Sequence, residues 1–219
     1  MRIVVTAGPT REYLDPVRFL SNPSTGKMGF AIAAEAARRG HEVVLVAGPV
    51  ALKTPKGVER VDVVSAREML EASLGGLEGL GGLEKVVFIS TAAVADWRPA
   101  KCAAKKLKKG EMSGVLKLVR NPDILKTVDS CRKRSKAVGL RLVGFAAETD
   151  HVLGEAARKC REKGLEFIVA NDVTQKGCGF GTDTNRVTFV FPDGRQRKFP
   201  LMTKRVVARR ILEEIENEK

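Results

Sequence analysis

Between Gly8 and Thr25 the sequence strings together Pro9, Thr10, Asp15, Arg18, Ser21, Asn22, Ser24 and Thr25, and Gly26-Lys27 then heads an apolar run from Phe30 to Ala37. Hydroxyls, an amide and cations gathered in front of a helix are the residue types that hold an anion, because the first-turn N–H groups and the helix dipole favour negative charge there. Ser24, Thr25 and Gly26 are therefore the expected phosphate-binding helix start. The plainer alternative is that Ser24 or Thr25 merely caps the helix. A P-loop is excluded, since Ser21 stands at its first Gly position and Met28 follows Lys27. Gly-x-Gly-x-x-Gly is missing as well, and Ala47-Gly48-Pro49 stands where a ribose-binding acid would end the second strand. An NAD(P)-dependent oxidoreductase thus keeps only the fold in its favour.

A second set of candidates follows the fourth expected strand. Ser90-Thr91-Ala92-Ala93-Val94-Ala95-Asp96 supplies small residues that let a ligand approach the backbone, then a carboxylate for a ribose hydroxyl or a metal. A loop cap is the plain alternative for Asp96. The run Lys105-Lys106-Leu107-Lys108-Lys109 reads by pattern as a solvated face, yet its place just after that strand end suits a basic flap closing on a polyphosphate. Asn121 suits a helix cap and Pro122 the first turn behind it. Asp123 is then either a first-turn acid or a second carboxylate, beside Asp96, for a metal–phosphate complex. Phe145 offers a face on which a base can stack. Lys159 and Lys163, at i and i+4, share one helical face and either reach phosphates or are solvated.

Strands are expected at Arg2–Ala7, Glu42–Ala47, Val58–Val63, Lys85–Thr91, Arg141–Ala147 and Glu166–Ala170, with helices at Gly26–Arg39, Ala66–Leu77, Pro122–Arg134 and Asp150–Lys163. Short β-branched strands alternating with helices predict an α/β fold with a doubly wound, Rossmann-like parallel sheet. The second helix opens with Ser65-x-x-Glu68, a capping pattern, and dissolves into a loop at Gly75-Gly76, Gly79, Gly81 and Gly82. Trp97 to Val119 breaks the alternation as the basic flap and ends in a strand, Gly114–Val119. Beyond Ala170, Asn185–Phe191 and Arg195–Pro200 flank Pro192-Asp193-Gly194 as a β-hairpin, and a helix from Thr203, which is the expected cap, to Asn217 closes the chain. No repeat or linker interrupts the pattern, so residues 1–219 read as a single domain.

With 219 residues and 43% apolar content the chain can bury a sizeable core. No apolar run reaches the ~20 residues of a membrane span, and Met1-Arg2 leads directly into a strand without a signal pattern, so no membrane contact and a cytoplasmic location are expected. Cys102, Cys131, Cys160 and Cys178 are scattered, which argues against a zinc site or a disulfide framework. Thirty-nine basic against 26 acidic side chains leave a net charge of +13. Single-stranded nucleic acid would want aromatic platforms among those cations, and aromatics are only 5%. Most of the charge is read as solvated surface, and no nucleic-acid partner is expected.

Together these pieces resemble the phosphopantothenoylcysteine synthetase family. The resemblance runs in order through Thr6–Glu12, Asp15–Asn22, Ser24–Gly29, Ala92–Trp97, Lys106–Lys109, Asn121–Ile124, Gly144–Thr149 and Ala170–Val173. It is closest to the bacterial and archaeal type, in which such a domain often forms the C-terminal half of a bifunctional protein. The resemblance implies a ligase joining 4′-phosphopantothenate to L-cysteine through an acyl-cytidylate, with CTP as co-substrate and Mg²⁺. It also implies a homodimer, no flavin, and a decarboxylase domain either on another chain or removed. By the same resemblance Arg18, Asn22 and Ala93 bind the phosphopantothenate and acyl intermediate, and Lys106 contacts nucleotide phosphates, with Asn22, Lys106 and Arg18 as the catalytic set. Ser90, Thr91, Ala92, Asp96, Asn121, Pro122, Asp123, Ile124, Phe145, Lys159 and Lys163 form the nucleotide site, and Asp96 and Asp123 reach the metal through the nucleotide. Trp97 replaces a commoner Tyr or Phe, Pro23 enters the Asn22 motif, and Ser90-Thr91 precede the first Ala. The last departure leaves ATP as the alternative nucleotide.

Overall fold

A computed structural model describes residues 1–77, 85–108, 110, 114–135, 137, 139–148, 152–175 and 177–217. The glycine loop at Gly79, Gly81 and Gly82, the cations Lys109 and Lys136, and Thr149 and Asp150 lie outside the described residues. The chain begins with β1 (Arg2–Ala7), β2 (Arg11–Tyr13), β3 (Phe19–Ser21), α1 (Lys27–Arg38), β4 (Glu42–Ala47), β5 (Glu59–Asp62) and α2 (Ala66–Gly75). It continues through β6 (Val86–Ser90), β7 (Trp97–Pro99), β8 (Leu118–Arg120), α3 (Ile124–Ser135), β9 (Leu140–Glu148), α4 (Val152–Glu162) and β10 (Phe167–Asp172). The last elements are β11 (Thr184–Asn185), β12 (Val187–Val190), β13 (Gln196–Lys198), β14 (Met202–Thr203) and α5 (Lys204–Asn217).

Eight strands form the main sheet in the order β13-β12-β10-β9-β6-β1-β4-β5. Neighbours from β5 to β10 are parallel, and the C-terminal hairpin adds β12 and β13 as an antiparallel edge. The chain winds outward from β1 through β4 and β5, then returns to start again at β6. The switch point lies between the carboxyl ends of β1 and β6, where open α/β sheets bind ligands. Alternate residues of β1 serve opposite faces: Ile3 and Val5 pack under α1 and α5, whereas Val4 packs under α2, α3 and α4. Strands covered on both faces must be apolar throughout, which is why the Val/Ile-rich runs were legible. No helix among the described residues is long and apolar enough to cross a membrane.

The expected elements are present with ends shifted by a few residues. The flap strand is Leu118–Arg120 rather than Gly114–Val119, and it pairs with an unexpected partner, Trp97–Pro99. A second unexpected pair, β2–β3, occupies the long β1–α1 connection. Three-residue strands carry too little alternation to be read from sequence. This hairpin is held by side chains instead: the rings of Tyr13 and Phe19 lie 5.3 Å apart, and the Arg11 guanidinium covers Phe19 at 4.7 Å. Such aromatic pairs contribute about 0.5–1.5 kcal/mol beyond area burial.

Candidate functional site

The exits of β1 and β6 run side by side, joined by Thr6 and Thr10, both buried. Thr91 Oγ1 donates to the Thr6 carbonyl at 2.5 Å, Ala92 N–H donates to Thr6 Oγ1 at 3.3 Å, and Ala93 N–H donates to the Gly8 carbonyl at 2.9 Å. Ala95 N–H donates to Thr10 Oγ1 at 3.0 Å. The Asn22 amide closes the arrangement by donating to the carbonyls of Ala93 and Val94, each at 3.1 Å. Asn22 and Ala93 are thus in contact. The two glycines beside them are steric necessities. A Cβ on Gly29 would lie 2.5 Å from both Ala7 Cβ and Thr91 Oγ1, and one on Gly48 would lie 1.7 Å from the Pro9 carbonyl.

Beside this crevice is a cavity of about 70 Å³, lined by the α1 start, Thr91, Phe145, Asn171, Phe180, Asn185 and Lys204. Helix α1 begins behind Gly26, and neither Ser24 nor Thr25 caps it. Ser24 Oγ accepts instead from Gly26 N–H at 3.3 Å, and Thr25 Oγ1 donates to the Phe180 carbonyl at 2.8 Å. The capping alternative is thereby set aside. Thr25 serves the 179–183 loop, which two lysines also clasp. Lys204 Nζ reaches the carbonyls of Gly179, Phe180 and Thr182 at 3.4, 3.2 and 2.6 Å, and Lys27 Nζ reaches Gly181 O at 2.9 Å and Asp183 Oδ1 at 2.7 Å. Burial pushes the Lys204 ammonium below its ordinary value, with Lys27 adding repulsion and Asp183 opposing it. Asn171 and Asn185 are buried, and the Oδ1 of each has no hydrogen-bond partner. Buried polar atoms are seldom left so. Sequence reading named Asn171 within Ala170–Val173 but gave it no role in the site, and it missed Asn185 and Lys204. A buried Asn ending a strand was the available signal, but burial itself was not visible.

The remaining candidates lie along the same sheet edge toward α3. Asn121 does not cap that helix: its Nδ2 donates to the Ala95 carbonyl at 2.8 Å and its N–H to the Asp96 carbonyl at 2.8 Å, so it shapes the loop carrying Asp96. Arg98 Nη1 in turn donates to Asn121 Oδ1 at 3.1 Å. The cap is Asp123, whose Oδ1 accepts from Lys126 N–H at 3.0 Å, so Pro122 precedes the helix and Ile124 begins it. Asp123 Oδ2 pairs with Lys163 Nζ at 2.7 Å. Burial raises the Asp123 carboxyl, but Lys163 and the Lys126 N–H outweigh it and leave the group below its ordinary value. Ser90 ends β6 half-buried, and Lys159 lies on α4 one turn before Lys163. Lys106 is exposed on the irregular segment between β7 and β8. Arg18, expected to meet substrate, has its guanidinium against Asp15, with Nη2 2.5 Å from Oδ2.

The family model described as "DNA/pantothenate metabolism flavoprotein C-terminal domain" matches residues 1–218. The chain belongs to this family. The "Coenzyme A biosynthesis bifunctional protein CoaBC" of Bacillus subtilis (strain 168) is 46% identical over 214 residues, covering 97% of this chain and 50% of that protein. The protein of the same name from Escherichia coli (strain K12) is 46% identical over 218 residues, 98% of this chain and 51% of its own length. The chain therefore spans about half the length of the curated relatives it matches. A crystal structure of the C-terminal domain of such a protein superposes with a TM-score of 0.79 at 44% identity, covering 98% of this chain and 93% of that one. A structure described as "Cab2 mutant H337A complex with phosphopantothenate-cysteine" shares the fold, with a TM-score of 0.74 at 16% identity over 98% of this chain and 86% of that one.

In this member of the DNA/pantothenate metabolism flavoprotein C-terminal domain family, the two carboxylates expected to share Mg²⁺ are not equivalent. Asp123 is committed to Lys163 and the α3 cap. Asp96 is exposed and makes no side-chain hydrogen bond or ion pair among the described residues. No group of three or more metal-ligating side chains occurs among those residues. A lone carboxylate suits Mg²⁺ only where substrate phosphates complete the shell, which is that ion's usual manner of binding.

Proposed function

We propose that this chain is a CTP-dependent phosphopantothenate–cysteine ligase, one domain acting in coenzyme A biosynthesis. The observation that carries the reading is the cavity. A helix start without a side-chain cap lines the same cavity as Phe145 and as Asn171 and Asn185, each of which carries a buried amide oxygen without a partner, and this suits a ligand with phosphates, a flat base and an exocyclic amine. The names of the relatives, coenzyme A biosynthesis proteins and a complex with phosphopantothenate-cysteine, agree with that ligand chemistry.

In the proposed reaction the phosphopantothenate carboxylate attacks the α-phosphorus of CTP, the bond to the bridging oxygen breaks, and pyrophosphate leaves. The cysteine amine then attacks the acyl carbon, loses a proton and expels CMP. The α1 N–H groups and Lys106 neutralise the phosphate charge that builds in the first step. Both Asn22 N–H bonds are spent on Ala93 and Val94, so its Oδ1 remains to accept from the incoming amine. Asp96 is the residue that would hold a nucleotide-bound Mg²⁺, which would supply further charge neutralisation. Flavin chemistry is assigned to the half of the relatives that this chain does not span. The exposed apolar side chains Val17, Phe19, Trp97, Val115, Leu116 and Leu118 on and beside β2–β3 and β7–β8 support a homodimer. A dinucleotide-dependent oxidoreductase is disfavoured by Gly48, which presses against the Pro9 carbonyl where a ribose-binding acid would end β4.

The deciding measurement is pyrophosphate release with phosphopantothenate and CTP or ATP, with and without cysteine. Release with CTP that does not need cysteine is expected. Lys106→Gln should lower it by on the order of 10²–10³-fold with Tm unchanged. No release with either nucleotide would refute the ligase, and faster release with ATP would refute only the base preference.

A further inference from the structure

Asp15 lies on the turn joining β2 to β3 with its side chain buried. Its two oxygens have separate tasks. Oδ1 accepts from the N–H groups of Val17 and Arg18, both at 2.9 Å, and so folds the turn on itself. Oδ2 accepts from Arg18 Nε at 3.0 Å and Nη2 at 2.5 Å, and also from Leu107 N–H at 3.2 Å. Arg18 Nη2 then donates to the Leu107 carbonyl at 2.9 Å. Both backbone groups of Leu107 are therefore gripped by one ion pair from a distant part of the chain. A further bond, Ala103 N–H to the Leu14 carbonyl at 2.8 Å, fastens the same segment four residues earlier.

The turn alone does not require this chemistry, because an Asn or Ser oxygen would accept from the two local N–H groups equally well. What the carboxylate and the guanidinium add is charge-assisted hold on residues 100–108, which belong to no helix or strand. The Arg18 guanidinium, aided by the N–H groups of Val17, Leu107 and Arg18 against the effect of burial, keeps the Asp15 carboxyl well below the usual carboxylate range. The pair stays charged at any pH near neutrality. Leu107 directly follows Lys106, and the hairpin that holds it leads through β3 to Asn22 at the β1–β6 crevice.

We propose that Asp15 and Arg18 form a latch that fixes the basic segment at Leu107 and thereby places Lys106 against the crevice, which makes Asp15 a positioning residue for the activation step. The proposal rests on the reading of Lys106 as the cation that meets nucleotide phosphate. Misplacing such a group by about 1 Å can cost on the order of 10²-fold in rate.

Asp15→Asn tests it, since the amide keeps an acceptor for the turn but turns a donor toward Leu107 and Arg18. Three quantities are measured on this variant, on Lys106→Gln and on the double variant: hydrogen exchange at the Leu107 amide, exchange in β1, β6 and β9, and pyrophosphate-release kcat. Exchange at Leu107 should rise at least tenfold with the core strands unchanged, and kcat should fall by on the order of 10- to 100-fold. In the Lys106→Gln background, Asp15→Asn should cost nothing further. Unchanged exchange at Leu107, or a loss that multiplies with that of Lys106→Gln, overturns the latch. A Lys106→Gln variant with normal turnover instead overturns the reading of Lys106, and the exchange measurement still judges the latch by itself. If Asp15→Asn does not fold, Arg18→Lys keeps a charge near Asp15 but removes the fork that reaches Leu107, and the same outcomes apply.

Discussion

Asn171 shows what one buried atom implies. Its Nδ2 donates to the Cys178 carbonyl at 3.0 Å while its Oδ1 has no partner at the cavity wall. A buried acceptor without a donor costs about 1–3 kcal/mol, and a ligand that supplies the donor recovers that energy as affinity. Asn171→Leu, similar in size, should therefore raise the KM for nucleotide by roughly 5- to 150-fold with little change in kcat. The lost bond to Cys178 should be offset in part by relief of the orphaned oxygen, so Tm should move only slightly. Titration of nucleotide into the variant by calorimetry checks the claim, and unaltered affinity would take Asn171 out of the site.

At the scale of elements, the cavity exists because α1 and α5 lie together on one face of the sheet with their N-termini at its carboxyl edge. Their seam is apolar along Ile32, Ala36, Val207, Ala208 and Ile211, and is closed at the far end by charge. Glu35 is buried and accepts from Arg38 at 2.8 and 2.7 Å and from Arg39 at 3.0 Å, while Arg39 Nη1 reaches Glu216 on α5 at 2.5 Å. The Arg38 guanidinium, opposed by burial and joined by Arg39, draws the Glu35 carboxyl down from 4.5 to about 2. A lowered value in the folded state means that the stabilisation is complete above 4.5 and is lost as pH falls toward about 2. Glu35→Gln should destabilise the fold by about 1.5–3 kcal/mol at pH 7, read as a shift in urea midpoint with an unchanged m-value. The difference from the parent should shrink in acid over that window. An equal difference at pH 7 and at pH 2.5 would show that Glu35 acts through packing alone.

For the whole molecule, six of the eight large apolar side chains exposed among the described residues lie on or beside the two small ribbons. β2 packs against β7, which brings the two small ribbons together, and they carry Phe19 (38% exposed), Trp97 (45%) and Leu118 (39%). Apolar side chains gathered in this way suit the homodimer proposed above. Because Lys106 and the Asp15–Arg18 pair lie on these same ribbons, association and turnover should be linked. Leu118→Arg should shift the protein toward monomer in sedimentation velocity and lower turnover in the same proportion. A variant that sediments as the parent does, or that turns over normally as a monomer, would dissociate this surface from function.

The sequence by itself determined the order of the main-sheet strands and the helices, because burial on both faces forces near-continuous Val, Ile and Leu, and amphipathic helices repeat every 3.6 residues. It also marked the long β1–α1 connection and the flap as departures from a plain Rossmann pattern, and Ser65 and Thr203 as caps, each of which accepts from an N–H in the first turn of its helix. Those signals are local and survive without any knowledge of neighbours. What only the tertiary structure decided is which groups are already in use. Asn121 looked like a cap until Ala95 and Asp96 were beside it, and Asp123, read as a first-turn acid or a metal ligand, caps the helix itself and pairs with Lys163. That Arg18 is held by Asp15 and Leu107 was equally invisible in the sequence. A hydrogen bond between residues 89 positions apart depends on which loops the sheet brings together, and no local pattern of residue types encodes that meeting.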